Sequence, residues 1–309
     1  SPGKQDMNAA TTENNAFTSV KQVAEYLHQK EKKVYALVND GSIPATKVTG
    51  KWMFPRELVD HWMHNSAHGG LLTDRLIIAG SDDPLLYRTV LEFAQQTGSH
   101  ALISYTPTGT RLGLDLLQSN RADVCAIHWG PKEESRVRHP ALLRQYSQHP
   151  RWVLIHAFRR EQGLMFKASL KHKINALDDF FSPRYRWVLR QNGSGAQRFL
   201  LEVLAKYNSD MDFLNTTVPA FSEREADAEI ALDQADVSAG ARSAAVEYGL
   251  EFIPYGWESF DLVLHRSIWF RRLFQSLISQ LKSRPCQSIS EKLTGYDMSE
   301  AGELIWGDD

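Results

Sequence analysis

From about Leu71 the chain repeats one pattern: a short apolar run, a turn of small or hydroxyl residues, then an amphipathic helical stretch. Leu76–Gly80, Ala101–Tyr105 and Val124–His128 carry almost no polar alternation, so each predicts a strand covered on both faces. Asp83 and Pro84 open a helix to about Gln96, the acid as cap and the proline in the first turn. Thr108-Gly109-Thr110 opens another, ending near Asn120. Further apolar runs follow at Trp152–Phe158, Tyr185–Leu189, Phe252–Pro254 and Leu262–Leu264. They alternate with helices over Phe199–Tyr207, after the Ser222/Glu225 capping pair, and around Ile268–Leu281. Such alternation dictates an α/β domain with helices packed on a sheet.

The first sixty residues read differently. Ser19 and Gln22 have capping-box spacing, and Val20, Val23, Ala24 and Leu27 recur at helical intervals. His28-Gln29-Lys30 makes a turn, and a second helix over Glu31–Asn39 turns Val34, Leu37 and Val38 inward. Ile43–Val48 and Gly50–Phe54 form a hairpin or wing, and Pro55 begins a third helix covering the core with Leu58, Val59 and Trp62.

Charge separates these two parts more sharply than hydropathy. The 309-residue chain has a formal net charge of −2, so it is no generic polyanion binder. Between Lys30 and Arg56, however, six Lys or Arg face two acids. Lys32, Lys33 and Asn39 fall on the outer face of the second helix, and Lys47, Lys51 and Arg56 on or beside the wing. A helix of this kind enters a major groove, and flanking cations contact phosphates. The alternative is an ordinary solvated surface. Tyr35 and Trp52 are read as core or scaffold.

The segments Val20–Ala24, Val34–Leu37, Asp40–Ala45 and Trp52–Phe54 resemble the excisionase/MerR-like winged helix-turn-helix proteins. That resemblance implies double-stranded DNA as a partner and a homodimer. The later domain resembles the type II periplasmic-binding-protein-like sensors related to molybdate- and tungstate-binding proteins. The carriers are Gly80-Ser81, Thr108-Gly109-Thr110, Ala122-Asp123, Gln162-Gly163-Leu164, Arg190-Gln191 with Gly193-Ser194-Gly195, and Gly249–Pro254. This implies two lobes around a cleft, with mixed sheets and hinge strands near Ala157 and Phe252.

The expected organisation is therefore a disordered leader (1–16), a winged helix-turn-helix domain (17–64), a linker (65–71), a two-lobed domain (72–283) and a C-terminal tail (284–309). Within the larger domain, 72–157 and 250–283 form one lobe and 158–249 the other. The resemblance implies a small effector in the cleft, a tetrahedral oxyanion such as molybdate or tungstate. Ser81, Thr108, Gly109, Thr110, Ser194 and Gly195 sit at helix starts, where free N–H groups and hydroxyls hold anions. His128, Arg190 and Arg198 add donors or charge. Singly, each hydroxyl is as readily a cap for its own helix.

Two features oppose the anion reading. Asp82 and Asp83 border the first loop, and Ala196-Gln197-Arg198 follows the glycine loop where the related sensors often have Thr-Arg. A small organic or zwitterionic effector, with Trp129, Tyr255 and Trp257 near the cleft, is the alternative; another is a DNA-associated structural protein without a ligand.

Neither a catalytic signature nor a Walker motif stands out, so no enzyme activity, catalytic residue or cofactor is assigned. His61, His64 and His68 lack the completing ligands of a metal site. Cys125 and Cys286 make no CxxC pair, and no segment is apolar enough for a membrane span, so a cytoplasmic location is expected.

Overall fold

The computed structural model describes residues 16–66 and 75–307. All of the expected leader except Ala16 lies outside the described residues, as do linker residues 67–71, including His68. The chain divides into two compact units at Thr73/Asp74.

In the first unit, β1 (Phe17–Thr18), α1 (Val20–Tyr26), α2 (Glu31–Asn39), β2 (Thr46–Val48), β3 (Lys51–Pro55) and α3 (Arg56–Ser66) follow in order. The three strands pair antiparallel in the order β1-β3-β2. Ser19 caps α1 reciprocally with Gln22, as the spacing predicts. Val23, Ala24, Val34, Val38, Ile43, Phe54 and Val59 form the core, with Phe54 wholly enclosed. Two assignments are corrected. Leu58 is 53% exposed, because Val59, one position on, takes the inward face of α3. Tyr35 is 46% exposed, because the register that buries Val34 and Val38 turns it outward.

The second unit runs β4 (Arg75–Gly80), α4 (Pro84–Thr97), β5 (Leu102–Tyr105), α5 (Thr110–Gln118), β6 (Val124–Ile127), α6 (Ser135–Leu143) and β7 (Trp152–Phe166). Next come β8 (Arg186–Trp187), α7 (Gly195–Lys206), β9 (Asn215–Thr216), α8 (Glu223–Ala231), β10 (Val237–Ala241), α9 (Arg242–Glu247) and β11 (Glu251–His265). The last elements are α10 (Arg266–Trp269), α11 (Arg272–Leu281), α12 (Arg284–Leu293), β12 (Tyr296–Asp297) and β13 (Leu304–Trp306). Asp83 caps α4 through Leu86 N at 2.9 Å, with Pro84 in the first turn.

Among the described residues these strands form one mixed sheet, in the order β5-β4-β6-β11-β7-β10-β8-β9, with β12 and β13 on β7. β7 and β11, fifteen residues each, pair antiparallel throughout and belong to both lobes. At one end β11 pairs β6; at the other β7 pairs β10. Two register shifts bracket the crossing, leaving Ala157 on β7 and Tyr255 on β11 as extra residues. Such bulges bend and twist paired strands, which suits a hinge. Phe252 instead pairs squarely with Met165 inside the second lobe, so the bend on β11 lies at Tyr255.

The first lobe packs Leu76, Ile78, Phe158 and Phe260 of the sheet with Leu86 and Phe93 of α4 and with α11. On α11, Phe274, Leu277, Ile278 and Leu281 make a continuous buried stripe. The second lobe is centred on Phe180, Trp187, Leu200 and Val203. Residues 284–307 are no tail: α12 buries Cys286 and Leu293, while β12 and β13 pair with β7. They satisfy an edge that would otherwise leave backbone groups unpaired.

Candidate functional site

On the first unit, α2 turns Lys32, Lys33, Tyr35, Ala36 and Asn39 to solvent, while Val34 and Val38 anchor it from beneath. Lys47, Lys51 and Arg56 are exposed on and beside the hairpin, with Lys47 Nζ 5.5 Å from the centre of the Trp52 ring. All six cationic or polar candidates are thus free to reach a ligand, and half-buried Trp52 braces the wing. His61 is exposed on α3.

In the second unit the lobes meet across the bent strands. Ser81, Thr108, Gly109, Thr110, His128, Ser194 and Gly195 converge there. A Cβ on Gly195 would stand 2.3 Å from His128 Cε1 and 2.4 Å from its carbonyl oxygen, so the start of α7 presses directly on the opposite lobe. The Gly109 Cβ position faces Gln191 Nε2 and Ser194. Gln191 Nε2 donates to Thr108 O at 3.1 Å, and Arg111 N to Gly193 O at 3.1 Å.

The hydroxyls at these helix starts are committed within the protein. Ser81 Oγ lies 2.9 Å from Thr110 Oγ1, Thr108 Oγ1 accepts from Gly80 N at 3.0 Å, and Ser194 Oγ accepts from Gln197 N at 3.1 Å. Tyr105 donates to Ser81 O. Arg198 is exposed on α7, 3.2 Å from Glu202 and above Trp129, away from the buried interface. Arg190 is buried, with Nε donating to Gln191 Oε1 at 3.2 Å; among the described residues no carboxylate forms an ion pair with it. Burial lowers its pKa, with Glu223, Asp82 and Asp227 opposing that effect. Of the aromatic candidates, Tyr255 packs edge-on to Phe199, while Trp129 lies beneath Arg111 and Arg198.

The centre of the interface is Arg160 on β7, 1% exposed. Its Nε reaches Glu258 Oε1 at 2.5 Å, and its Nη1 reaches Asp83 Oδ2 at 3.1 Å and Glu223 Oε2 at 3.5 Å. The same Nη1 donates to Asp82 O at 2.9 Å. Asp83 belongs to the first lobe, Glu223 to the second, and Glu258 to the bent strand, so one guanidinium ties all three. Gln162 Nε2 also donates to Glu258 Oε1, at 2.5 Å, and His128 Nδ1 lies 2.6 Å from Glu258 Oε2. Burial pushes the Glu258 carboxyl up, but His128 and Arg160 together pull it below its ordinary value. Burial lowers the His128 pKa against the pull of Glu258.

Asp82 makes a second tie. Its Oδ2 accepts from Arg224 N at 3.1 Å, in the first turn of α8, so a carboxylate of one lobe occupies a helix start of the other. The Arg224 side chain stacks on Tyr87 at 3.9 Å. Glu223 accepts from Ala241 N and is pushed up to about 7 by burial, with Arg160 opposing. Tyr296 donates to Asp83 at 2.8 Å, so β12 also supports the site.

Arg160, Glu223, Asp227 and Glu258 escape the sequence reading. The available signals were Arg159-Arg160-Glu161-Gln162 interrupting an apolar run, and Glu223 and Asp227 four residues apart on one helix. Asp82 and Asp83, which in sequence oppose an anion, are engaged here by Arg224 and Arg160.

Bent paired strands, two lobes and a buried interface between them define a binding-protein-like domain, in a chain that also carries a helix-turn-helix unit. A PBP superfamily domain model matches residues 91–282, more than half of the chain, and the chain belongs to that superfamily. A helix-turn-helix domain model matches residues 19–66. The uncharacterised protein YvgK of Bacillus subtilis (strain 168) is 24% identical over 193 residues, 62% of this chain and 61% of that protein. The chain thus spans about three-fifths of the curated relative it matches.

Among solved structures, a phosphate ABC transporter-type substrate-binding protein from Clostridium perfringens, with bound phosphate, aligns at TM-score 0.50 and 13% identity. It covers 71% of this chain and 97% of that one. The effector-binding domain of a BenM variant aligns at 0.48 and 12%, covering 72% and 99%. At 13% identity the likeness to the phosphate-bound protein is one of fold alone. Among the described residues, no helix is long and apolar enough to cross a membrane.

Proposed function

We propose that the protein is a DNA-binding transcriptional regulator whose operator affinity depends on a small effector held between its lobes. The observation that carries the reading is the exposed α2 face, with Lys32, Lys33 and Asn39 outward, in a unit matching a helix-turn-helix domain and joined to a two-lobed domain. On this reading α2 lies in the major groove, while Lys47, Lys51 and Arg56 contact phosphates. A homodimer on a symmetric or repeated site, acting in the cytoplasm, belongs to the proposal.

Response follows from population shift. An effector with different affinities for the open and closed lobes moves that equilibrium, and the shift is read as a change in operator affinity. The interface sets the terms of effector choice. Molybdate or tungstate would have Arg190 and the starts of α5 and α7 as donors, but would face Asp82, Asp83, Glu223 and Asp227. A small organic effector fits this charge better. No catalytic role is assigned to the interface.

The test is fluorescence anisotropy of the full chain on labelled random-sequence duplexes across a salt series, followed by selection of a preferred site. Binding should weaken steeply with salt and fall further when Lys32 and Lys33 are both replaced by Glu. DNA binding unchanged in that double variant would sink the assignment of α2.

A further inference from the structure

The geometry points to a binding site for a small zwitterion, an α-amino acid with an apolar side chain, in a cavity of the first unit between β1, α1 and α3, with Arg56 and Asp60 as its charged partners. The site lies wholly within the first unit and does not depend on an effector held between the lobes.

The cavity has a volume of about 310 Å³, at the lower end of the range of about 300–1,000 Å³ that small-molecule sites occupy. Val23 of α1 and Val59 of α3, both buried, give it an apolar wall, and exposed Tyr26 adds an aromatic one. Its polar groups are only partly used within the protein. Thr18 Oγ1 donates to Phe54 O at 3.2 Å, and Tyr26 hydrogen-bonds Asp60. Gln22 Oε1 accepts from Ser19 N at 2.8 Å, which leaves the amide nitrogen of Gln22 as a donor. Arg56 and Asp60 stand four positions apart on α3, where side chains share a helix face with Cβ atoms about 5–6 Å apart. Among the described residues, however, neither forms an ion pair with the other or with any third side chain. A cation and an anion thus border one cavity without neutralising each other.

Opposite charges one helical turn apart suit a ligand that carries both. A carboxylate takes the Arg56 guanidinium, whose paired N–H groups match its two oxygens, and the Gln22 amide nitrogen adds a donor. An ammonium on the neighbouring carbon faces the Asp60 carboxylate. The side chain of the amino acid then covers Val23, Val59 and the Tyr26 ring, removing apolar surface from water. A simple carboxylate would meet Asp60, and a simple amine would meet Arg56, so each charge also rejects the wrong class. The volume holds one amino acid rather than a larger molecule. None of the lining residues belongs to α2, so Lys32, Lys33 and Asn39 stay clear of the ligand. Arg56 is also the phosphate contact proposed above, and one guanidinium cannot serve a carboxylate and a phosphate together.

The experiment is titration calorimetry of the full chain with phenylalanine, leucine and methionine, beside benzoate and phenethylamine, which carry one charge each. At least one amino acid should bind saturably, and more tightly than either singly charged probe. That binding should weaken at least about tenfold in Asp60→Asn and in Arg56→Gln, each the loss of one charge-assisted hydrogen bond. Arg56 is exposed and Asp60 half-buried, so both variants should fold, which circular dichroism checks. No saturable binding by any amino acid, or benzoate or phenethylamine binding as tightly, overturns the assignment. Amino-acid binding equal in both variants overturns it too, while leaving an effector between the lobes intact. The bound amino acid should also weaken duplex binding by the full chain in fluorescence anisotropy. Unchanged duplex binding, with the two variants behaving as expected, removes Arg56 from the phosphate contacts and upholds the amino-acid site.

Discussion

Replacing Arg160 with Met should expose how the interlobe network is held. Met keeps most of the apolar stem, so lost packing is small and lost charge dominates. Arg160 contacts Glu258, Asp83 and Glu223. Burial pushes Asp83 and Glu223 above their ordinary values, with Arg160 opposing, so loss of Arg160 raises both further. Glu258 is different, because His128 and Arg160 keep its value low and the group ionised.

Without Arg160, Glu258 must take a proton or force one onto buried His128. The ordinary glutamate value is 4.5. Holding Glu258 protonated at pH 7 then costs about 3.4 kcal/mol, at about 1.36 kcal/mol per pH unit. At pH 5.5 the cost falls to about 1.4 kcal/mol. The sign follows from linkage: a variant carboxyl raised above its unfolded value costs more as pH rises, and nothing below about 4.5. Urea unfolding of the full chain at the two pH values, following the transition of the larger unit, measures the difference. A loss that is the same at both, or below about 1 kcal/mol at pH 7, would refute the account of Arg160 as the charge partner of Glu258.

Other expectations follow from the same structure. Glu223→Gln should flatten the fall in stability between about pH 4.5 and 7, because the raised folded-state value of Glu223 makes the native state hold its proton longer than the unfolded chain; denaturant titrations over that range decide it. Gly195→Ala places a methyl against His128 and should separate the lobes, seen as a larger radius of gyration by small-angle scattering; an unchanged radius contradicts direct packing of α7 on His128. Phe54→Ala empties the centre of the small core and should cost about 3–5 kcal/mol, read as loss of the first unit's own melting transition while the second persists.

Much of this protein was legible without coordinates, because the signals involved are local. Caps, helical periodicity and apolar runs depend on residues a few positions apart. The Ser19/Gln22 box, the Asp83-Pro84 helix start and the strands around Ile78 and Ala126 therefore stand about where the sequence places them. The outward set on α2 follows from the same periodicity, although Tyr35 shows how little residue type says about exposure when the register turns a side chain outward.

What tertiary structure alone decided is which polar groups meet, because pairing at long sequence separation leaves no local trace. Arg160 finds Asp83 from 77 positions away and Glu258 from 98. Residues 284–307 look polar and unremarkable in sequence, and fold because β7 offers a free edge to pair. The serines and threonines at the helix starts did converge, but neighbouring groups had already claimed their hydroxyls. The sequence by itself determined the two kinds of unit and the cationic outer face of α2. Which buried carboxylates between the lobes gained a partner was settled only when the chain closed on itself, since burial turns a carboxylate from an ordinary solvated group into one that requires a proton or a partner.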